Sequence, residues 1–496
     1  MAVEAQEKND NADEKAGERK PEPKDRIGVT KHRARINGRQ VAYTVTCGTM
    51  VIREESEKEG KHEGDKARAQ VFFIAYTLDD VKDRGKRPLT FSFNGGPGSS
   101  SVWLHLGVLG PRRVALDDEG FAPEVPGRLV ANEFSLLDAS DIVFIDPVGT
   151  GLSRMVEGER VKEYHEYQRD LESVGSFIRL YTSRYARWTS PKFLIGESYG
   201  TTRASGLAFH LIERHAMYLN GVMLVSCALD FQLLRFEHCN DLPPTLFLPT
   251  YAATAWYHKR LAADLQRKPV AKVVAEAEAF AAGDYAHALF RGARLPQKER
   301  KAVAAKVARY TGLSPEYVER TDLRVEIFRF CKELLRDEGR TVGRLDTRYT
   351  GVDRDSAGEK FEFDPAMAEI RGAYSAAMNG YLRNELRFEA DLPYEVSRPF
   401  WMDWGWKDFS NRYAAIGDSL RKAMTVNPKM RVLVASGYYD LATPHFAADY
   451  SFDHLGLPPS LRGNLEFSYY EAGHMMYTHK PSLAKLADHL RRFVTA

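Results

Sequence analysis

Six short apolar runs recur along the chain: LTFSF (89–93), DIVFID (141–146), KFLIG (192–196), GVMLVS (221–226), RVLVAS (431–436) and LEFSYY (465–470). Runs of this length, bounded by Gly, Asn or Asp, fit inner strands of a parallel sheet buried on both faces. Helix-length patterns fall between them, at 163–184, 200–216 and 481–494. Strand–helix alternation predicts an α/β, doubly wound sheet. The alternation stops between about residues 233 and 400, where segments such as KAVAAKVARY read as helix. It resumes at 431. The expected organisation is a core over 28–232 and 400–496, interrupted by a helical insertion over 233–399.

Two polar tracts punctuate this pattern. Residues 1–26 hold 14 Asp, Glu, Lys or Arg residues and almost no large apolar side chains. Such a stretch cannot bury enough surface to offset chain entropy, so 1–27 is expected to be a disordered charged tail. Residues 53–69 (REESEKEGKHEGDKARA) repeat that composition between the β-rich segments VAYTVTCGTMVI and QVFFIAYTL, and are expected to be a long polar loop.

Composition narrows the function classes. At 496 residues with 44% hydrophobic content, the chain can bury a sizeable core. Lys+Arg 70 against Asp+Glu 68 leaves a net charge of +2, without the concentrated basic field that nucleic acids or anionic membranes require. No apolar run reaches the ~18 residues of a membrane helix, and no apolar leader opens the sequence. A cytoplasmic protein is the expectation, or a periplasmic or secreted one if a leader has been removed. The cysteines (47, 227, 239, 331) lack CxxC spacing, so they read as interior thiols and not as a metal site.

The sharpest chemical signal is Gly196-Glu197-Ser198-Tyr199-Gly200, between the run KFLI and the helical TTRASGLAFHLIERH. A strand–turn–helix context is what a GxSxG elbow needs to lift a serine above the sheet edge. A serine hydroxyl requires a base, and the base an orienting carboxylate. Asp440 follows RVLVAS, and Glu471-Ala472-Gly473-His474 follows LEFSYY. Asp440 and His474 are thus expected at successive carboxyl strand ends, where open α/β sheets bind ligands. His445 and His479 are the rivals to His474. Asn94-Gly95-Gly96-Pro97-Gly98-Ser99 follows LTFSF, and its glycines would let backbone amides approach a substrate closely. It lacks the Lys-Ser/Thr of a phosphate loop. A second Gly-rich turn, Asp146-Pro147-Val148-Gly149-Thr150-Gly151, reads as a strand-end turn or a pocket wall.

Together, NGGPGSSS, DPVGTGLS, GESYG, GYYDLATP and AGHMM resemble the serine carboxypeptidases, in order and spacing from residue 91 to 476. The low cysteine content suits a bacterial, disulfide-poor branch. The resemblance implies an α/β-hydrolase fold with a mostly helical cap insertion. It also implies a hydrolase that removes the C-terminal residue of peptides. Ser198 would be the nucleophile, His474 the base and Asp440 its orienter. Gly96 and Tyr199 would supply oxyanion-hole amides, while Asn94, Gly95 and Glu197 would hold the substrate carboxylate. No cofactor or metal is implied. The expected partner is a peptide, with no nucleic acid or membrane, and a homodimer is left open.

This chain departs from the family at four points. Ser99 stands where a cysteine is usual. Val108 aligns with a further glutamate of the carboxylate site, and Ser92 with a tryptophan. LVSCALD (224–230) replaces a strand ending in Gly-Asn-Gly. These changes weaken the expected recognition of a terminal carboxylate. They open an esterase or acyltransferase using the same triad as the alternative; a catalytically silent binding protein is the remote one. The aromatic stretch FWMDWGW (400–406) is expected to pack cap against core or to wall the substrate pocket.

Overall fold

The structure, a computed structural model, describes residues 22–496 except Pro123, Val125 and the side chain of Lys58. One mixed sheet organises it. Its main strands are β1 (Arg26–Ile36), β2 (Arg39–Lys58), β3 (Lys61–Leu78), β4 (Leu89–Phe93), β5 (Asp141–Ile145), β6 (Lys192–Ser198), β7 (Gly221–Cys227), β8 (Arg431–Gly437) and β9 (Leu465–Tyr470). They lie in the order β1-β2-β3-β5-β4-β6-β7-β8-β9, with a two-residue strand, Arg154–Met155, added to β3. β1, β2 and β3 are antiparallel, and β3 pairs antiparallel with β5. From β5 to β9 every pairing is parallel. The architecture is the expected α/β-hydrolase fold, and all six apolar runs are strands of this sheet.

Parallel strands need helical crossovers, and the helices cover both faces. Residues used below lie on α1 (Tyr167–Arg184), α2 (Tyr199–His215), α3 (Leu242–Tyr257), α4 (Val270–Phe280), α5 (Gln297–Thr311), α6 (Pro365–Asn384), α7 (Gly417–Val426), α8 (His445–Asp453) and α9 (Lys480–Thr495). On one face Phe177 and Tyr181 of α1, Leu207 and Leu211 of α2 and Leu420 of α7 join a buried cluster with Phe91, Val143 and Leu194. On the other, Tyr374 and Tyr381 of α6 and Leu486 and Leu490 of α9 pack with Phe144, Ile195 and Met223. Full burial of one such side chain contributes about 1.5–3 kcal/mol, so the two layers clamp the strand ends that carry the chemistry.

Four expectations change. The segment 53–69 is no loop: β2 and β3 continue as a hairpin, Glu54 opposite Lys66 and Lys58 opposite Lys61. Glu59 and Gly60, both at positive φ (53° and 76°), turn it in the two-residue manner hairpins favour. The ribbon extends past the core, so ladder bonds and ion pairs such as Arg68–Glu159 at 2.8 Å support it, and its polar composition hid the strands. At the N-terminus, most of the expected tail (1–21) lies outside the described residues, while Arg26 and Ile27 already pair with Thr49 and Gly48 in β1.

The helical stretch also divides differently from a cap over 233–399. Residues from Phe247 to Val342 build a second hydrophobic cluster around α3, α4 and α5, joined by Leu441 from the core. Residues 365–396 join the main core instead, because α6 lays its apolar stripe on the sheet layer: Tyr374 packs on Trp103, and the Tyr381 hydroxyl meets that of Tyr76 at 2.9 Å. The cysteines are all free, but Cys239 is exposed, on the turn before α3, and not interior as expected.

Candidate active site

Ser198 ends β6 and precedes α2, with φ 60° and ψ −129°. A non-glycine residue there carries backbone strain of about 1–3 kcal/mol, which must be offset by its surroundings. The flanking glycines make the turn sterically feasible. A Cβ on Gly196 would lie 2.0 Å from the Gly200 carbonyl oxygen, and one on Gly200 2.9 Å from that of Phe93. Ser198 remains half-exposed while its neighbours are buried.

The other two expected residues meet directly. His474 Nδ1 lies 2.7 Å from Asp440 Oδ2. Asp440 is fully buried and accepts from the Ala442 and Thr443 amides at 2.8 and 3.0 Å and from the Thr443 hydroxyl at 2.8 Å. Four donors thus fix a carboxylate that has no water to relax into. Burial alone would pull the His474 imidazole down; the Asp440 charge and hydrogen bond, with Glu197, hold it above its ordinary value. The rivals lie elsewhere: His445 bonds to Glu278 of α4 at 2.8 Å, and His479 to Ser482 at 2.8 Å.

A bulge in β7 connects the serine and histidine ends. Val225 pairs with Glu197 and Cys227 with Ser198, so Ser226 is the extra residue, at φ 54°. Its hydroxyl donates to the His474 carbonyl at 2.6 Å. The departure LVSCALD therefore has a positive role. Residues 344–347, from the helical stretch, clasp both loops: Leu441 N donates to Arg344 O at 3.0 Å, and His474 N to Leu345 O at 2.7 Å. Asp346 Oδ2 accepts from Gly473 N at 3.0 Å. Neither Ser226 nor this clasp was foreseen, since no motif marks them.

The NGGPG loop rides over the serine turn. A Cβ on Gly95 would sit 2.4 Å from Tyr199 N and 2.7 Å from Glu197 O. Gly96 is exposed at φ 106°. Behind the loop, Arg203 of α2 donates to Asn94 O at 2.6 Å and to Asp170 at 2.8 Å, and the Tyr199 hydroxyl donates to the same Asp170 oxygen at 3.1 Å. The loop is tied in front by residues 396–398. Ser100 N donates to Val396 O at 3.1 Å and Arg398 N to Gly98 O at 2.9 Å. Ser99, in the cysteine position, accepts the Trp103 indole N–H at 2.8 Å. The second Gly-rich turn braces this loop, Asp146 Oδ1 accepting Ser101 N at 2.8 Å. Trp404 and Trp406 pack on the Tyr199 ring, while Trp401 and Met402 are exposed.

Asn94 and Glu197 are joined, Nδ2 donating to Oε1 at 3.0 Å. Burial pushes the Glu197 carboxyl up to about 7, against the downward pull of His474, Tyr477 and Asn94. Tyr477, three residues past His474, was missed: its hydroxyl donates to Glu197 Oε2 at 2.5 Å. Val108, by contrast, is buried in the apolar core and brings no acid to the site.

Against this geometry stand three comparisons. A family model for serine carboxypeptidases matches residues 60–259. Over that stretch the chain is similar to the serine carboxypeptidases. The pheromone-processing carboxypeptidase KEX1 of Saccharomyces cerevisiae is 33% identical over 179 residues, 32% of this chain. The chain spans only about a quarter of that relative, 23% of its length. Serine carboxypeptidase-like 29 of Arabidopsis thaliana is 29% identical over 172 residues, 33% of each chain. Among solved structures, that of a prohormone-processing carboxypeptidase from S. cerevisiae, KEX1(delta)p, superposes with a TM-score of 0.56, covering 90% of each chain at 17% identity. This last likeness is one of fold. Among the described residues no helix is long and apolar enough to cross a membrane.

Proposed function

We propose that this protein is a serine-type carboxypeptidase that releases the last residue of a peptide through an acyl-enzyme. The observation that carries the reading is the 2.7 Å Asp440–His474 bond, tied through Ser226 of the β7 bulge to the strand end that carries a strained, half-exposed Ser198. Asp440 holds the proton on Nδ1, leaving Nε2 free to take one. Ser198 Oγ attacks the scissile carbonyl and its proton passes to His474 Nε2. The oxyanion receives the Gly96 and Tyr199 amides. The leaving amine takes the proton from His474, and water then cleaves the ester. Asn94, Gly95 and Glu197 hold the terminal carboxylate of the substrate. A Glu197 carboxyl pushed up to about 7 is protonated below that pH and can donate to that carboxylate. The KEX1 relative is a pheromone-processing carboxypeptidase, which supports a peptide as substrate.

The test is Ser198→Ala on blocked dipeptides. Release of the C-terminal amino acid is lost, and a fluorophosphonate labels the wild type alone. Retained turnover in a clean preparation refutes the nucleophile. Equal rates on the same dipeptides amidated at the C-terminus move the reading to an esterase or acyltransferase.

A further inference from the structure

Glu197 is engaged on both oxygens, by Asn94 on Oε1 and by Tyr477 on Oε2. Tyr477 is 2% exposed, and its ring runs over Gly107, where an added Cβ would lie 2.4 Å from it and 3.1 Å from the Tyr374 hydroxyl. Gly107 directly precedes Val108. A phenol thus approaches Glu197 beside the residue that precedes Val108, the position for which the family resemblance leads one to expect a second carboxyl. The groups that face Glu197 are Asn94 after β4, Asp440 after β8, His474 and Tyr477 after β9, and Tyr374 of α6.

The exchange of groups has a chemical consequence. A second carboxyl shares a proton with the first and needs acid to keep it. A buried phenol beside a carboxylate is pushed well above its ordinary value, so it stays a neutral donor throughout the working range. As a donor it stabilises ionised Glu197 and opposes the burial that favours the protonated acid.

We propose that Tyr477 is a positioning residue of the terminal-carboxylate site, and that its bond to Glu197 Oε2 sets how far toward alkaline pH the site accepts a free C-terminal carboxylate. This rests on the reading above that Glu197 holds that carboxylate.

The experiment measures kcat and KM across pH for the full chain, on blocked dipeptides with a free C-terminus and on their amides. In the wild type, KM for the free acids climbs above about pH 7 while KM for the amides does not. Tyr477→Phe keeps the ring and removes the donor. It moves that limb about one pH unit toward alkaline and leaves kcat at low pH within a few-fold. A fluorinated tyrosine at 477, a stronger donor, moves the limb the other way and decides the matter alone if the Phe variant does not fold. In Glu197→Gln the limb is absent, and adding Tyr477→Phe creates none. If neither change at 477 moves a limb that the wild type shows, or if kcat falls equally for acids and amides with the limb unmoved, the role of Tyr477 is refuted while the Glu197 reading survives. If the wild type treats acids and amides alike at every pH, the Glu197 reading fails and takes this inference with it.

Discussion

The guanidinium of Arg203 donates to the carbonyl of Asn94 at 2.6 Å, joining the helix that follows Ser198 to the glycine loop that crosses it. Both residues are buried, and Arg203 is also ion-paired with buried Asp170 at 2.8 Å. A buried pair adds little net stability, but losing one partner strands the other charge. Arg203→Met is therefore expected to cost about 3–5 kcal/mol in denaturant unfolding. Removing the carboxylate as well, in Arg203→Met with Asp170→Leu, should recover part of the stability but not the activity, because the Asn94 carbonyl still lacks the donor that fixes it from behind.

Gly95→Ala tests how closely that loop must approach the serine turn. The new methyl would overlap Tyr199 N, at 2.4 Å, so loop and turn must separate. A displacement near 1 Å costs about 100-fold in rate when it shifts groups aligned with the reacting centre. The expected result is a fall of about that size in kcat/KM, with a smaller change in melting temperature.

Asp440→Asn removes the charge that opposes burial at His474. The imidazole then drops in pKa, since burial was already pulling it down. A base works only when neutral, so the acid limb of kcat/KM should move to lower pH in the variant. Its plateau should fall about 10⁴-fold through the wrong tautomer. A pH–rate profile with an ester substrate reads both effects. An unmoved acid limb would assign it to another group.

The histidines can be separated by labelling. His474→Gln should abolish fluorophosphonate reaction at Ser198. His445→Gln should leave it nearly intact, because His445 serves the 2.8 Å contact between α8 and Glu278 of the helical stretch. That variant should instead lower the melting temperature.

Much of this molecule could be read from residue order. The parallel strands β4 to β8 bury both faces, so their apolar runs read plainly, whereas β9, expected as an inner strand, lies at the sheet edge with Glu466 and Phe467 exposed; Asn94, Ser198, Asp440 and His474 sit at or just past the ends of these strands. GESYG and NGGPG were legible because only glycine tolerates the contacts those turns make, which ties sequence tightly to shape. The β2–β3 ribbon was not legible, since a strand supported by ladder bonds and ion pairs has no apolar period.

Tertiary structure decided what no local pattern encodes. Ser226 supports the histidine because a bulge turns one residue out of β7, and a serine at a strand end carries no mark of its partner 248 residues away. Arg203, Asp170, residues 344–347 and Tyr477 are ordinary helix and loop residues until folding aims them at Asn94, His474 and Glu197. The strand ends follow from burial, which each segment expresses alone. The electrostatics of the site follow from groups distant in sequence sharing one dry space, and that is set only when the whole sheet closes.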